Sequence, residues 1–211
     1  MKKSKIHGML VLLNMLPKSD NITAIIGITG MPGAKKTDVA KILSNYGIPY
    51  FTLSSILFQE LAKRKLEPTP PNYAKLASEL RKKFGQDFLA KQAWKSVTSK
   101  VTIIDGIRSP KEVDFLRNAA DYFFLVLVHA SPETRFRRFK QSKNPFLSTR
   151  EQFDAQEKDN LKIGVGEVSV QADYVIINES YCRKSLKDQV DALYRFLQNK
   201  VPGIEARGGQ N

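Results

Sequence analysis

Three observations predict a three-layer α/β/α fold around a five-stranded parallel sheet. Short apolar runs recur along the 211 residues, and longer stretches with apolar residues at helical spacing lie between them. That alternation is the pattern of a parallel sheet covered by helices on both faces. In addition, the first apolar run passes through a glycine-containing loop directly into a helix, so ligands are expected beyond the carboxyl ends of the strands.

The run TAIIGIT (23–29), β-branched and bounded by glycine, is the first strand, and TDVAKILSNYG (37–47) is a helix with Val39, Ile42 and Leu43 on one face and Gly47 at its end. PYFTL (49–53) is a brief second strand. Three helical patterns follow at 54–66, 71–85 and 86–97. KVTIIDG (100–106) is the third strand, and SPKEVDFLRNAA (109–120) starts a helix with proline in its first turn. YFFLVLVHA (122–130) has the continuous apolar character of a strand buried on both faces. The stretch 131–142 repeats the Ser-Pro helix start, and a polar segment follows it. DYVIINE (173–179) is the fifth strand, and an amphipathic helix at 184–200 closes the domain.

The loop between the first strand and its helix is nearly a phosphate-binding loop, whose pattern is Gly, four residues, Gly, Lys, then Ser or Thr. Gly30, Lys36 and Thr37 hold their places, while Lys35 stands where the second glycine belongs. Backbone N–H groups and the positive end of the helix would face phosphates there. Lys36 would reach the β and γ phosphates of ATP, and Thr37 would offer its hydroxyl to Mg²⁺. A β-carbon in left-handed geometry costs roughly 1–2 kcal/mol, so Lys35 obstructs a phosphate more than it obstructs the fold. Weakened and lost nucleotide binding both remain open.

Composition narrows the setting without choosing a substrate. One ordinary domain accounts for the length, and 42% hydrophobic with 26% charged residues suits a globular chain. A single cysteine, Cys182, excludes an internal disulfide framework and fits a reducing, cytoplasmic location. The net charge of +13 and pI near 9.8 will attract polyanions, whether nucleotides, RNA, DNA or acidic membranes, without saying which. Residues 1–22 have a basic start and a short apolar run, but no small-residue cleavage site follows, and the run is too short to span a bilayer. They are expected to be an N-terminal extension, 23–200 a single domain, and 201–211 a flexible tail. His129 reads as a satisfied strand-end residue, and His7 carries no signal.

A second motif lies at VTIIDGIRSPKEV (101–113), where Asp105 ends a central strand and Arg108 follows three residues later. The carboxylate can hold Mg²⁺ through water or act as a base, and the arginine can clamp an acceptor phosphate. With GITGMPGAKKTDVAKIL, KLEPTPPNYAKLASELRKKFG, VLVHASPETRFRRF and IGVGEVSVQADYVIINE in order over about residues 23–197, the chain resembles the adenylate-kinase-related, dephospho-CoA-kinase-like P-loop proteins known mainly from archaeal genomes.

That resemblance implies a fold like the nucleoside-monophosphate kinases, with an acceptor-binding helical insertion at 54–97 and a lid at 143–168. By matching position it implies a donor site at Gly30, Gly33, Lys36 and Thr37 within the loop Met31, Pro32, Ala34 and Lys35 complete. Asp105 would serve metal or acceptor, and Arg108 and Arg81 the acceptor phosphate. A capped turn with Arg108 as surface partner is the alternative for Asp105, and a solvated RKK helix face for Arg81. The chain departs from the family pattern at Ser54, Ser55 and Phe58, where Gly-Asp and an arginine are expected, and at Gln156 and Asp159, which take lid-arginine positions. Arg135, Arg138 and Lys143 either compensate at the donor phosphates or form a basic helix face. Two functions follow: an ATP- and Mg²⁺-dependent kinase of a nucleotide or dephospho-CoA-like acceptor, or a silent paralogue that binds protein or nucleic acid.

Overall fold

The computed structural model describes residues 23–142, 146, 149–179 and 183–204. The extension at 1–22 with His7, and Lys143 and Cys182, lie outside them. Five strands, β1 (Ala24–Thr29), β2 (Tyr50–Thr52), β3 (Val101–Ile107), β4 (Tyr122–His129) and β5 (Tyr174–Ile177), form one sheet in the order β2-β3-β1-β4-β5. Every pairing is parallel. The expected three-layer α/β/α fold is therefore the observed one, and β1, which carries the loop, sits at its centre.

The two-residue period of β1 and β3 divides the core. Ile26 and Ile103 point to one face, where α1 (Lys36–Ser44) and α9 (Arg183–Gln198) cover them with Val39, Leu43, Val190 and Leu193. Ile25 and Ile104 point to the other, under Leu53, Leu57 and Leu61 of α2 (Leu53–Lys63), Leu76 and Leu80 of α3 (Pro70–Phe84) and Leu89 of α4 (Phe88–Trp94). The same cluster takes in Val113 and Leu116 of α5 (Pro110–Ala119). Strands buried on both faces need apolar residues at every position, which explains the unbroken runs in the sequence. Ser109 caps α5 in a reciprocal capping box with Glu112, and Ser131 caps α6 (Pro132–Gln141); both helices open on proline.

Two features differ from the sequence reading. The polar segment after α6 contains α7 (Arg150–Ile163) and α8 (Val165–Ser169), and α7 opens with a Thr149–Gln152 capping box. At the other end the core passes the expected boundary at 200. Val201 and Ile204 are buried on the α9 face, so these apolar residues belong to the domain rather than to a flexible tail. Among the described residues no helix is long and apolar enough to cross a membrane.

Candidate nucleotide and acceptor site

The loop Gly30–Lys35 leaves the C-terminal end of β1 and enters α1. Gly30 has φ 139°, and a β-carbon on it would lie 2.2 Å from the carbonyl oxygen of Val128, so only glycine lets the loop turn this close to β4. Lys35, the N-cap of α1, has φ 71° and ψ 39°. The chain thus takes the left-handed turn that glycine would favour, with an exposed lysine carrying it. Lys36 and Thr37 follow as the first residues of α1, whose N–H groups have no carbonyl within the helix to meet.

Below the loop, Lys36 is buried and its Nζ donates to the carbonyl oxygen of Met31 at 3.1 Å. Burial lowers its pKa to about 8, with the positive charges of Arg108 and Arg135 acting in the same direction and Asp105 opposing them. Thr37 Oγ1 donates to Asp105 Oδ2 at 2.6 Å, joining α1 to the end of β3. Asp105 is 2% exposed, its Oδ1 has no hydrogen-bond partner, and burial raises its pKa against the Thr37 bond and the Lys36 charge. A β-bulge places it there: Ile28 pairs with Asp105 and Thr29 with Ile107, leaving Gly106 as the extra residue.

Thr37 and Asp105 fit Mg²⁺ as a hydroxyl and a carboxylate with one unused buried oxygen. This ion keeps several waters and takes few protein ligands, and no cluster of three or more His, Cys, Asp or Glu residues suited to a metal occurs among the described residues.

At the position expected to meet an acceptor, Arg81 is 5% exposed, while its neighbours Lys82 and Lys83 are exposed. The solvated-face reading of RKK therefore fails for Arg81, because position 81 lies on the inner stripe of α3 with Leu76, Ala77 and Leu80. Its Nη2 meets Glu112 Oε1 at 3.1 Å, and Glu112 Oε2 accepts from the backbone N–H groups of Arg108 and Ser109. The Nε groups of Arg81 and Arg108 are buried without partners. Arg108 makes no ion pair with Asp105, and burial followed by the Arg81 charge lowers its pKa. One carboxylate, Glu112, thus ties the Arg81 guanidinium to the backbone of the turn at Arg108 and Ser109.

Arg135 and Arg138 lie beside the loop on α6, already engaged. Arg138 donates to the carbonyl oxygens of Gly33 and Asn178, and the buried Asn178 amide donates to Ala34 O at 3.0 Å. Arg135 donates to Ala130 O at 2.9 Å and to Pro32 O at 3.4 Å, and Glu157 of α7 takes both terminal nitrogens of its guanidinium. Phe58 is 51% exposed on α2, and Ser54 and Ser55 bond back to Thr52. Asp159 pairs with Lys162 at the surface, whereas Gln156 has a buried, unpartnered side-chain oxygen.

Sequence reasoning missed Glu112, Glu157 and Asn178. The Ser-x-x-Glu spacing marks Glu112 as a helix-start residue, but its pairing with Arg81 spans 31 positions. For Glu157 and Asn178 no local pattern exists.

The chain that builds this strand–loop–helix is similar to known proteins. The model of the AAA domain family matches residues 29–158. A UPF0200 protein of Thermococcus kodakarensis is 36% identical over 185 residues, covering 84% of this chain and 100% of the relative. Another, of Methanocaldococcus jannaschii, is 33% identical over 187 residues, covering 86% and 92%. The chain belongs to the UPF0200 family. This UPF0200 protein has a P-loop kinase-like fold, which its solved neighbours share. Shikimate kinase from Bacteroides thetaiotaomicron superposes with a TM-score of 0.55 at 18% identity, over 83% of this chain and 98% of that one. Shikimate kinase from Acinetobacter baumannii, solved with shikimate, gives 0.55 at 19%, over 85% and 96%. At these identities the likeness is one of fold.

Proposed function

We infer that this UPF0200 protein is an ATP-binding phosphotransferase whose acceptor carries an anionic group, of the nucleotide or dephospho-CoA type. The observation that carries this reading is the group formed by buried Lys36 and Asp105 with Thr37 at the start of the helix that follows the loop. Its cation is held only by a carbonyl, and its carboxylate has one oxygen unspent. Both features are satisfied by donor phosphates and Mg²⁺. Thr37 and Asp105 would hold the ion, which when bound would supply positive charge to neutralise what builds on the transferring phosphoryl group.

Lys36 would give up the Met31 carbonyl for the β and γ phosphates, gaining a charge-assisted bond. Thr37 would hold the ion through its hydroxyl, and Asp105 either through water or, with a pKa raised by burial, as acceptor of the proton from the attacking hydroxyl. Arg108 and Arg81 would clamp the anionic group of the acceptor with their unpartnered Nε–H donors. Fixing both substrates in line is most of what this chemistry asks of a protein.

The departures favour a second reading. Lys35 brings a β-carbon to the phosphate loop, and Phe58, Gln156 and Asp159 remove three cations from positions where the resembled kinases use them. A silent paralogue that binds protein or nucleic acid through its basic surface accounts for all four.

Calorimetric titration with MgATP, on wild type and on Lys35→Gly, separates the readings. Micromolar binding by wild type supports the first, and a coupled ADP-release assay over an acceptor panel then identifies the acceptor. Binding by Lys35→Gly alone would mean that Lys35 closes the site, and turnover no higher than that of Lys36→Ala would remove phosphoryl transfer.

A further inference from the structure

Helix α7 is tied to Arg135 beside the loop and, just past its end, to the turn after β3. Glu157, in its second half, grips both terminal nitrogens of Arg135, which itself touches the loop through Pro32 O. At the far end Gly164, with φ 113°, packs on the turn after β3, where a β-carbon would lie 2.6 Å from Pro110 Cδ and 3.7 Å from Arg108 O. Seven residues of helix, about 10 Å of rise, separate these anchors. The helix therefore runs from the donor loop to the acceptor turn.

Glu157 differs from the other charged side chains of α7. Arg150 pairs with Asp154 and Glu133, and Asp159 with Lys162, all at the surface. The Arg135–Glu157 pair is 4% and 15% exposed, and the Arg135 guanidinium stacks 5.5 Å over buried Phe153 one turn earlier. A carboxylate gripping an arginine with both oxygens presents the geometry that a phosphate presents to the same fork. Arg135 is also near enough to depress the pKa of Lys36, so both cations sense the same space.

We propose that Glu157 is a positioning residue that holds Arg135 in reserve at the rim of the loop, and that donor phosphates compete with it for that guanidinium. Nucleotide entry would then free α7 from the donor side while Gly164 keeps its hold on the acceptor turn, coupling donor occupancy to access for the acceptor. This rests on the nucleotide reading of the loop. It explains why the arginine lies ready beside the loop yet fully paired without ligand.

The test uses the full chain with MgADP as probe, read by calorimetry and by hydrogen exchange of the α7 amides. MgADP is expected to speed exchange over 150–163 in wild type. Glu157→Gln is expected to bind MgADP about tenfold more tightly, a usual size for coupling between competing sites, with fast α7 exchange that the nucleotide no longer alters. Lys162→Met, on the same helix, should change neither. Because Glu157→Gln leaves a buried cation unpaired, Glu157→Asp, which keeps the charge but shortens the reach, supplies the same signs at smaller size. If wild type and variants bind MgADP equally and α7 exchange does not respond, the loop reading stands and the latch is wrong. If none binds MgADP, both fall.

Discussion

Lys36 concentrates the chemistry of the loop in one ionisable group. Its pKa of about 8, against an ordinary 10.5, means that burial disfavours the charged form that phosphate needs. Below pH 8 the lysine is protonated in the folded and unfolded chain alike, and the cost of burying the charge is constant. Between about 8 and 10.5 the unfolded chain holds the proton and the folded one has lost it, so stability rises with pH across that window. Lys36→Met should therefore melt at higher temperature at pH 7, stabilised by about 1–3 kcal/mol, while losing phosphate affinity; differential scanning calorimetry and MgADP titration check the two halves. Phosphate beside Lys36 will raise its pKa, so MgADP binding at pH 8 should take up a proton. Titrations in buffers of different ionisation enthalpy would reveal it, and an enthalpy independent of buffer would count against Lys36 as the phosphate contact. Lys35 acts differently: its left-handed backbone is carried by the fold, so Lys35→Gly should leave folding stability within about 1 kcal/mol and alter nucleotide affinity instead.

Helix α7 was hidden in the sequence for a physical reason. Hydrophobic periodicity marks a helix when its inner face is apolar, but here that face carries Gln156, Glu157 and Asn160 beside a single buried Phe153. The local signal that remained was Thr149 with Gln152 three residues later, the spacing of a capping box. Helices α1, α2 and α5 were legible because Val39 and Leu43, Leu57 and Leu61, and Val113 and Leu116 repeat at three- or four-residue spacing over an apolar sheet. Phe153 is the apolar anchor of α7, packed against Phe136 and Phe139. Phe153→Ala should loosen this helix before the rest of the domain, at a cost of about 3–4 kcal/mol to its docking. Hydrogen exchange should show lost protection over 150–163 with the sheet amides unchanged, whereas a uniform loss would mean that α7 and the sheet unfold as one unit.

The whole molecule carries +13, and most lysines and arginines among the described residues are exposed, so low-salt association with polyanions is expected whatever the protein's function. Gel shifts of a single-stranded oligonucleotide should fade between about 50 and 200 mM salt. Persistence of the complex at high salt would instead indicate a dedicated nucleic-acid surface. The order of the strands and of the helices other than α7 and α8, the phosphate-binding loop and the Asp105–Arg108 motif were legible in the sequence alone, because each rests on residues within a few positions of one another. Only the tertiary structure brought Thr37 to Asp105 across 68 positions, Arg81 to Glu112 across 31 and Arg135 to Glu157 across 22. Such pairings follow from how a parallel sheet gathers distant strand ends at one edge. No local pattern encodes which charge will be buried beside which.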